Sequence, residues 1–316
     1  MKTLLFFIPG LAIVWAQSLV LNIVHITEIL YIHPIYRQDP QRESILSFPT
    51  SYRLWTNPRL LNFPRAEKNV DKDGEKREPL GPFLFLRLSK IALYYCLATY
   101  IFPALFSETV VELLPEDIEQ TALIGRLDEV TAREFLVRSY TAVEWIWKTI
   151  MHFDGANAIL ACLSVASGFD RPEDWPNLFA SPVHACGLRN FWARFWHQLA
   201  VRPFKGYGLV ISRGLGLQPG SWSSKTLIAL TIFLVSGLSH QLGTWAMGTR
   251  DWLDIQWYLL NFLGCSLEIL AVSSARNLAK RFGFARSLQE IERSWLGYVV
   301  GYTWVAKVAR TLDCDR

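Results

Sequence analysis

The chain has 316 residues, of which 51% are hydrophobic and only 19% charged, and it carries 13 Trp and 19 Phe. It is richer in apolar and aromatic residues than an average soluble domain, and its net charge of +4 excludes an extended nucleic-acid surface. The charges gather in a few loops and leave long uncharged runs, the pattern of an all-α polytopic transmembrane helical bundle, because the bilayer core excludes charge and requires spans of about 20 apolar residues.

Leu4 to Val24 is apolar after Lys2. Its start has the form of a signal peptide, with Val14-Trp15-Ala16 as a small-residue cleavage possibility, but the apolar character runs on to Val24 and favours an uncleaved anchor. His25 and His33 near its end read as interfacial. His33 to Leu80 is polar and ends in the mixed-sign run EKNVDKDGEKRE, a solvated loop. Pro82 to Leu105 is the second expected span; Arg87 and Lys90 in its first turns have stems long enough to reach back to the headgroups. Phe106 to Glu134 is acidic, with eight Asp or Glu against two Arg.

Phe135 to Ser167 is apolar but interrupted by Arg138, Glu144, Lys148, His152 and Asp154. Gly155 is expected to break it into a tilted amphipathic helix and a second helix from Ala156, together making one crossing. Gly168 to Gln218 is polar and carries no span. Leu227 to Gly243, LIALTIFLVSGLSHQLG, is a candidate span with His240 deep inside it, followed by a turn at Gly248–Asp251 and further apolar segments over Trp257–Val272 and Trp295–Val308. The chain therefore divides into an anchor span over 1–32, a cytosolic polar loop over 33–81 and a multi-span core over 82–316.

Basic loops stay on the cytosolic side. Pro34–Lys90 has eleven Lys or Arg against seven Asp or Glu, Leu188–Arg213 has five basic residues and no acidic one, and Ser273–Arg293 has five against two. These three are assigned to the cytosol and the acidic Phe106–Glu134 loop to the lumen.

Two constellations carry chemistry. An ionisable residue inside a span marks a functional site by default. On a helix Ser236, His240 and Thr244 share one face, and Gly237 and Gly243 leave room for a neighbouring chain. The bland reading is a core histidine satisfied by an adjacent helix. The second constellation is Leu188–Leu199, LRNFWARFWHQL. Read as a helix, it places Asn190, Arg194 and His197 on a narrow polar stripe opposite Trp192, Phe195, Trp196 and Leu199, suited to the cytosolic membrane surface. An ordinary interfacial helix would look the same. Taken together, a neutral histidine in a dry cavity can take a proton from an alcohol as its hydroxyl attacks a thioester, and a basic cytosolic surface can hold the phosphates of coenzyme A.

FWARFWHQ followed by SGLSHQLG resembles the fungal wax-synthase-domain acyltransferases, relatives of the membrane-bound O-acyltransferases (MBOATs), in which N-F-W-x-R-x-W-H precedes a membrane histidine in an S-G-x-x-H setting. FLFLRLSKIALYY and the LWTNPRLLN loop are loosely similar to the same family. The resemblance covers most of the chain after about residue 45; against that family the chain is short by one or two N-terminal spans. The resemblance implies an MBOAT-like bundle with His240 as catalytic base. Asn190, Trp192, Arg194, Trp196 and His197 would form a supporting motif near the acyl-donor thioester, although more distant relatives carry asparagine where His197 stands.

It further implies no permanently bound cofactor, acetyl-CoA or another acyl-CoA as co-substrate, a hydrophobic alcohol such as a terpenoid or meroterpenoid as acceptor, and a multi-pass position in the endoplasmic reticulum membrane. A long-chain wax ester synthase is the nearest alternative, and a proton-coupled transporter the alternative from another class. The transporter lacks support from paired halves. No histidine has an aspartate four residues later, no GxSxG elbow is present, and His184, His197 and His240 have no zinc-ligand spacing. The five scattered cysteines suggest no disulfide framework.

Overall fold

The computed structural model describes residues 16–32, 48–59, 79–106, 132–248 and 250–282. Among the described residues every regular element is helical, as the composition predicted. Among the described residues four helices are long and apolar enough to cross a membrane: Leu80–Ala104, Val143–Ala166, Trp222–Ala246 and Leu253–Leu278. The expected anchor is described only from Ala16 onward, and the Trp295–Val308 segment lies outside the described residues.

By its contacts the chain forms two compact units. The first comprises 1–67 and 198–264. It holds the apolar helix α1 (Ala16–Ile32), α2 (Phe48–Thr56), α6 (Val201–Gly214), α7 (Trp222–Ala246) and the first part of α8 (Leu253–Phe282). Small residues set its packing, as they do where helices have no water to drive them together. On α6, a Cβ added to Gly208 would stand 2.9 Å from the Ile228 backbone of α7. One turn further the buried hydroxyls of Ser212 and Ser224 meet at 2.7 Å. On α7, a Cβ on Gly237 would stand 3.1 Å from both Ile255 Cα and Tyr258 Cβ of α8.

Helix α7 starts where Ser221 accepts from the Ser224 N–H at 3.2 Å, and the chain turns after it at Gly248, whose φ of 96° favours glycine. Helix α1 is tied to α6 by Glu28, a buried carboxylate that accepts from Arg202 at 2.6 Å and lies over Gly206. His25, near the end of α1, is fully buried within the protein, with Nε2 2.7 Å from the Leu54 carbonyl oxygen.

The second unit comprises 68–197 and 265–316. It holds α3, which runs Leu80–Cys96 and continues through a π-turn Leu97–Ile101 into Phe102–Phe106, then α4 (Ala132–Ala166), α5 (Leu188–Asn190) and the rest of α8. Two expectations are corrected in it. Helix α4 is continuous through Gly155. A mid-helix glycine costs only about 1 kcal/mol, and Gly155 faces Tyr94, which lies 3.6 Å from where a Cβ would stand. Arg87 and Lys90 do not reach outward. Arg87 is buried and donates to the Trp175 carbonyl and, at 3.4 Å, to Asn177 Oδ1. Lys90 meets the buried Asp154 of α4 at 2.9 Å, and the Tyr94 hydroxyl donates to the same oxygen at 2.7 Å. The two long helices are thus clamped by an ion pair in which the carboxylate is buried, the ammonium is partly exposed and the acceptor oxygen is shared.

Candidate active site

His240 stands on α7, six residues before its end, on a face that packs within the first unit. Its ring is half-buried and lies 5.1 Å from the ring of Tyr258, tilted by 37°. Nδ1 lies 2.9 Å from the side-chain amide of Gln17 on α1. One turn on, the Thr244 hydroxyl lies 3.1 Å from the His240 carbonyl oxygen and donates to Asp254 at the start of α8. Asp251 pins the intervening turn: it accepts from Gln241 at 3.3 Å and from the Leu253 N–H at 3.2 Å, while its carbonyl accepts from Trp245 Nε1 at 2.8 Å. Glycines 237 and 243 are both buried, as the sequence led one to expect. The histidine is therefore held beside a polar network built from α1, α7 and α8, at the end of a helix whose middle is apolar.

The second constellation belongs to the second unit, and its form differs from expectation. Leu188–Leu199 is not one amphipathic helix. After α5 the backbone widens into a π-turn over Phe191–Phe195, closed by the Trp196 N–H donating to the Phe191 carbonyl at 2.8 Å, and Trp196 is extended with ψ near 150°. His197 therefore lies beyond the helix. π-Turns of this kind recur at functional sites.

The motif is folded inward around its aromatics. Trp196 is buried, stacked on Trp145 at 5.7 Å and on Phe191 at 5.3 Å, with Phe179 edge-on at 5.4 Å. His197 stacks on Phe153 at 5.3 Å and meets Phe179 edge-on at 5.6 Å. Trp192 is half-buried beside Trp196, at 5.6 Å. Asn190 turns its amide back to the Cys186 carbonyl at 2.7 Å, and Arg194 is exposed. The stripe of Asn190, Arg194 and His197 drawn on a regular helix is thus not formed.

The segment is anchored from α8. Glu268 accepts from the Arg189 N–H at 2.8 Å, at the start of α5. Gly187 precedes it with φ 85° and ψ 159°, and a Cβ there would come within 2.2 Å of a Glu268 oxygen. That backbone conformation is open essentially to glycine alone.

Gln17, Tyr258 and Glu268 were not singled out by the sequence. Gln17 did leave a signal, since it is a polar amide inside the apolar run Leu4–Val24 and such groups seek a partner. Glu268 left the same kind of signal as a lone carboxylate between Trp257 and Val272.

Residues 175–263 match the family described as Membrane bound O-acyl transferase family, a range that contains both the 190–197 motif and His240. Among relatives, the chain is 30% identical to "Acetyltransferase atnC" of Arthrinium sp over 47% of this chain and 35% of that protein. It is 40% identical to "Acetyltransferase spyB" of Aspergillus fumigatus over 27% of this chain and 15% of that one. It is 27% identical to "Acetyltransferase nanB" of Aspergillus nanangensis over 84% of this chain and 64% of that one. The chain spans less than two thirds of the length of each of these relatives. No solved structure matches it.

Proposed function

We propose that this chain, whose residues 175–263 carry the likeness to the membrane-bound O-acyltransferases, transfers an acetyl group from acetyl-CoA to a hydroxyl of a hydrophobic secondary metabolite, a terpenoid or meroterpenoid, in the endoplasmic reticulum membrane. The observation that carries the reading is His240. An imidazole held by Gln17 and Tyr258 inside a helix long and apolar enough to cross a membrane, within the matched range, is the kind of group that marks a functional site in such a span. The names of the relatives, all acetyltransferases, support a short acyl group over a long one.

His240 is the general base. It takes the proton of the acceptor hydroxyl as that oxygen attacks the thioester carbonyl carbon. The C–O bond forms, the C–S bond breaks, and the departing thiolate takes the proton back from the imidazolium. The products are the ester and coenzyme A. Arg194, exposed and carried on the buried aromatic block, suits the donor's phosphates. Asn190, Trp192, Trp196 and His197 shape that block around it.

The test is direct. Membranes containing the protein are incubated with labelled acetyl-CoA, or with longer acyl-CoAs, and a panel of terpenoid alcohols, and ester is sought by mass. Acetyl ester is the expected product, and His240→Ala lowers its rate by roughly 10²- to 10⁴-fold at unchanged protein level. Normal ester formation by that variant rejects the base assignment, and transfer of long chains only rejects the acetyl donor.

A further inference from the structure

Gln17 and His240 are 223 residues apart in sequence, and α1 brings the amide of one within 2.9 Å of Nδ1 of the other. A half-turn of a planar amide exchanges its oxygen and nitrogen at nearly the same positions, so two pairings fit this geometry. In the first, the amide N–H donates to Nδ1. The neutral ring then carries its proton on Nε2, and both of its nitrogens are committed. In the second, Oε1 accepts from Nδ1–H, and the lone pair stays on Nε2. Which nitrogen of a histidine is protonated is set by the bond the other one makes.

The two pairings have different chemical consequences. Tyr258 packs against the ring at 5.1 Å, so the imidazole does not escape the choice by swinging away from its amide partner. A ring held in the first pairing has no site for an incoming proton. A ring held in the second does.

We propose that Gln17 is a positioning residue whose amide oxygen accepts from Nδ1–H of His240 and so fixes the tautomer in which Nε2 receives the hydroxyl proton. This rests on the reading of His240 as base. It also gives the apolar N-terminal helix a part in the chemistry. Partners that orient a working imidazole are worth about 10- to 100-fold in function where they have been removed at metal sites, and the same order is expected here in kcat, with KM for acetyl-CoA little changed.

The deciding experiment does not need turnover. The full chain, labelled with ring-¹⁵N histidine, gives six pairs of imidazole signals in detergent, Nδ1 and Nε2 of each ring, and His240→Ala removes the pair to be assigned. The expected result is the Nδ1–H form for His240 in the parent protein, lost to the Nε2–H form in Gln17→Leu and retained in Gln17→Glu, whose carboxylate accepts but does not donate. An Nε2–H signal in the parent protein overturns the proposal. So does a tautomer that Gln17→Leu leaves unchanged. The acetyl-transfer rate of His240→Ala separately decides the base reading, so an inactive His240→Ala beside an unmoved tautomer rejects Gln17 alone.

Discussion

Gly187 shows how far a single residue can govern the motif that follows it. Its φ of 85° and ψ of 159° lie where a side chain is strained, and the space a Cβ would take is occupied by Glu268. Gly187→Ala therefore loses on two counts. The backbone strain costs about 1–3 kcal/mol, and Glu268 is pushed from the Arg189 N–H it accepts. A lower unfolding temperature and reduced transfer are expected, measured by thermal denaturation in detergent and by ester yield. Gly81 has open space around it and no such φ, so Gly81→Ala should change neither. Arg194 presents the opposite case. It is exposed, so Arg194→Ala should leave stability alone and raise KM for acetyl-CoA by about tenfold, equivalent to about 1.4 kcal/mol of a charge-assisted contact, with KM for the alcohol little changed. A larger rise in the KM for the alcohol would put Arg194 on the wrong side of the reaction.

At the scale of elements, the clamp between α3 and α4 joins two long helices through one buried carboxylate. Asp154 accepts from both Lys90 and Tyr94 while buried, so removing it leaves the Tyr94 hydroxyl without its acceptor and Lys90, 26% exposed, with Asn177 Oδ1 at 3.3 Å. Breaking a buried pair on one side costs about 3 kcal/mol or more, whereas replacing both partners with apolar groups is close to neutral. Asp154→Leu should unfold at lower temperature than the parent, and adding Lys90→Met should recover most of the loss. If the double variant is no better than the single one, the pair is not what holds the helices.

This clamp also marks where sequence patterning runs out. The apolar run made α7 readable, and the histidine within it stood out because the surrounding run is uncharged. Arg87 and Lys90 looked like residues reaching for headgroups, because their partners, Asn177 and Asp154, lie 90 and 64 positions away. The 188–199 stretch looked like a regular helix because its periodicity is helical. What redirects it is the packing of Phe195 against Phe179 and of Trp196 against Trp145 and Phe179, a long-range arrangement that no local spacing encodes. Gly155 misled for the opposite reason, since a local break signal was outweighed by the packing of Tyr94.

For the whole molecule, charge asymmetry and the continuity of α4 bear on one question, the side of the membrane on which each loop lies. An interrupted Phe135–Ser167 segment could return to the side it came from. A single unbroken helix of 35 residues, with an apolar stretch over Val143–Ala166, is long and apolar enough to cross once. With one crossing there, the positive-inside rule would assign the three basic stretches to one side and the acidic stretch to the other, the topology expected from the charges. The active-site reading needs this parity, because it gives coenzyme A, a cytosolic molecule, a basic surface on its own side. A glycosylation acceptor Asn-X-Thr placed within 106–134 should therefore be modified in microsomes and lose its added mass on endoglycosidase treatment. The same acceptor placed within 168–187 or 283–293 should remain unmodified. Modification of the 168–187 site would put Arg194 and its neighbours in the lumen, away from the acyl donor, and the donor-side role of the motif would fall with it.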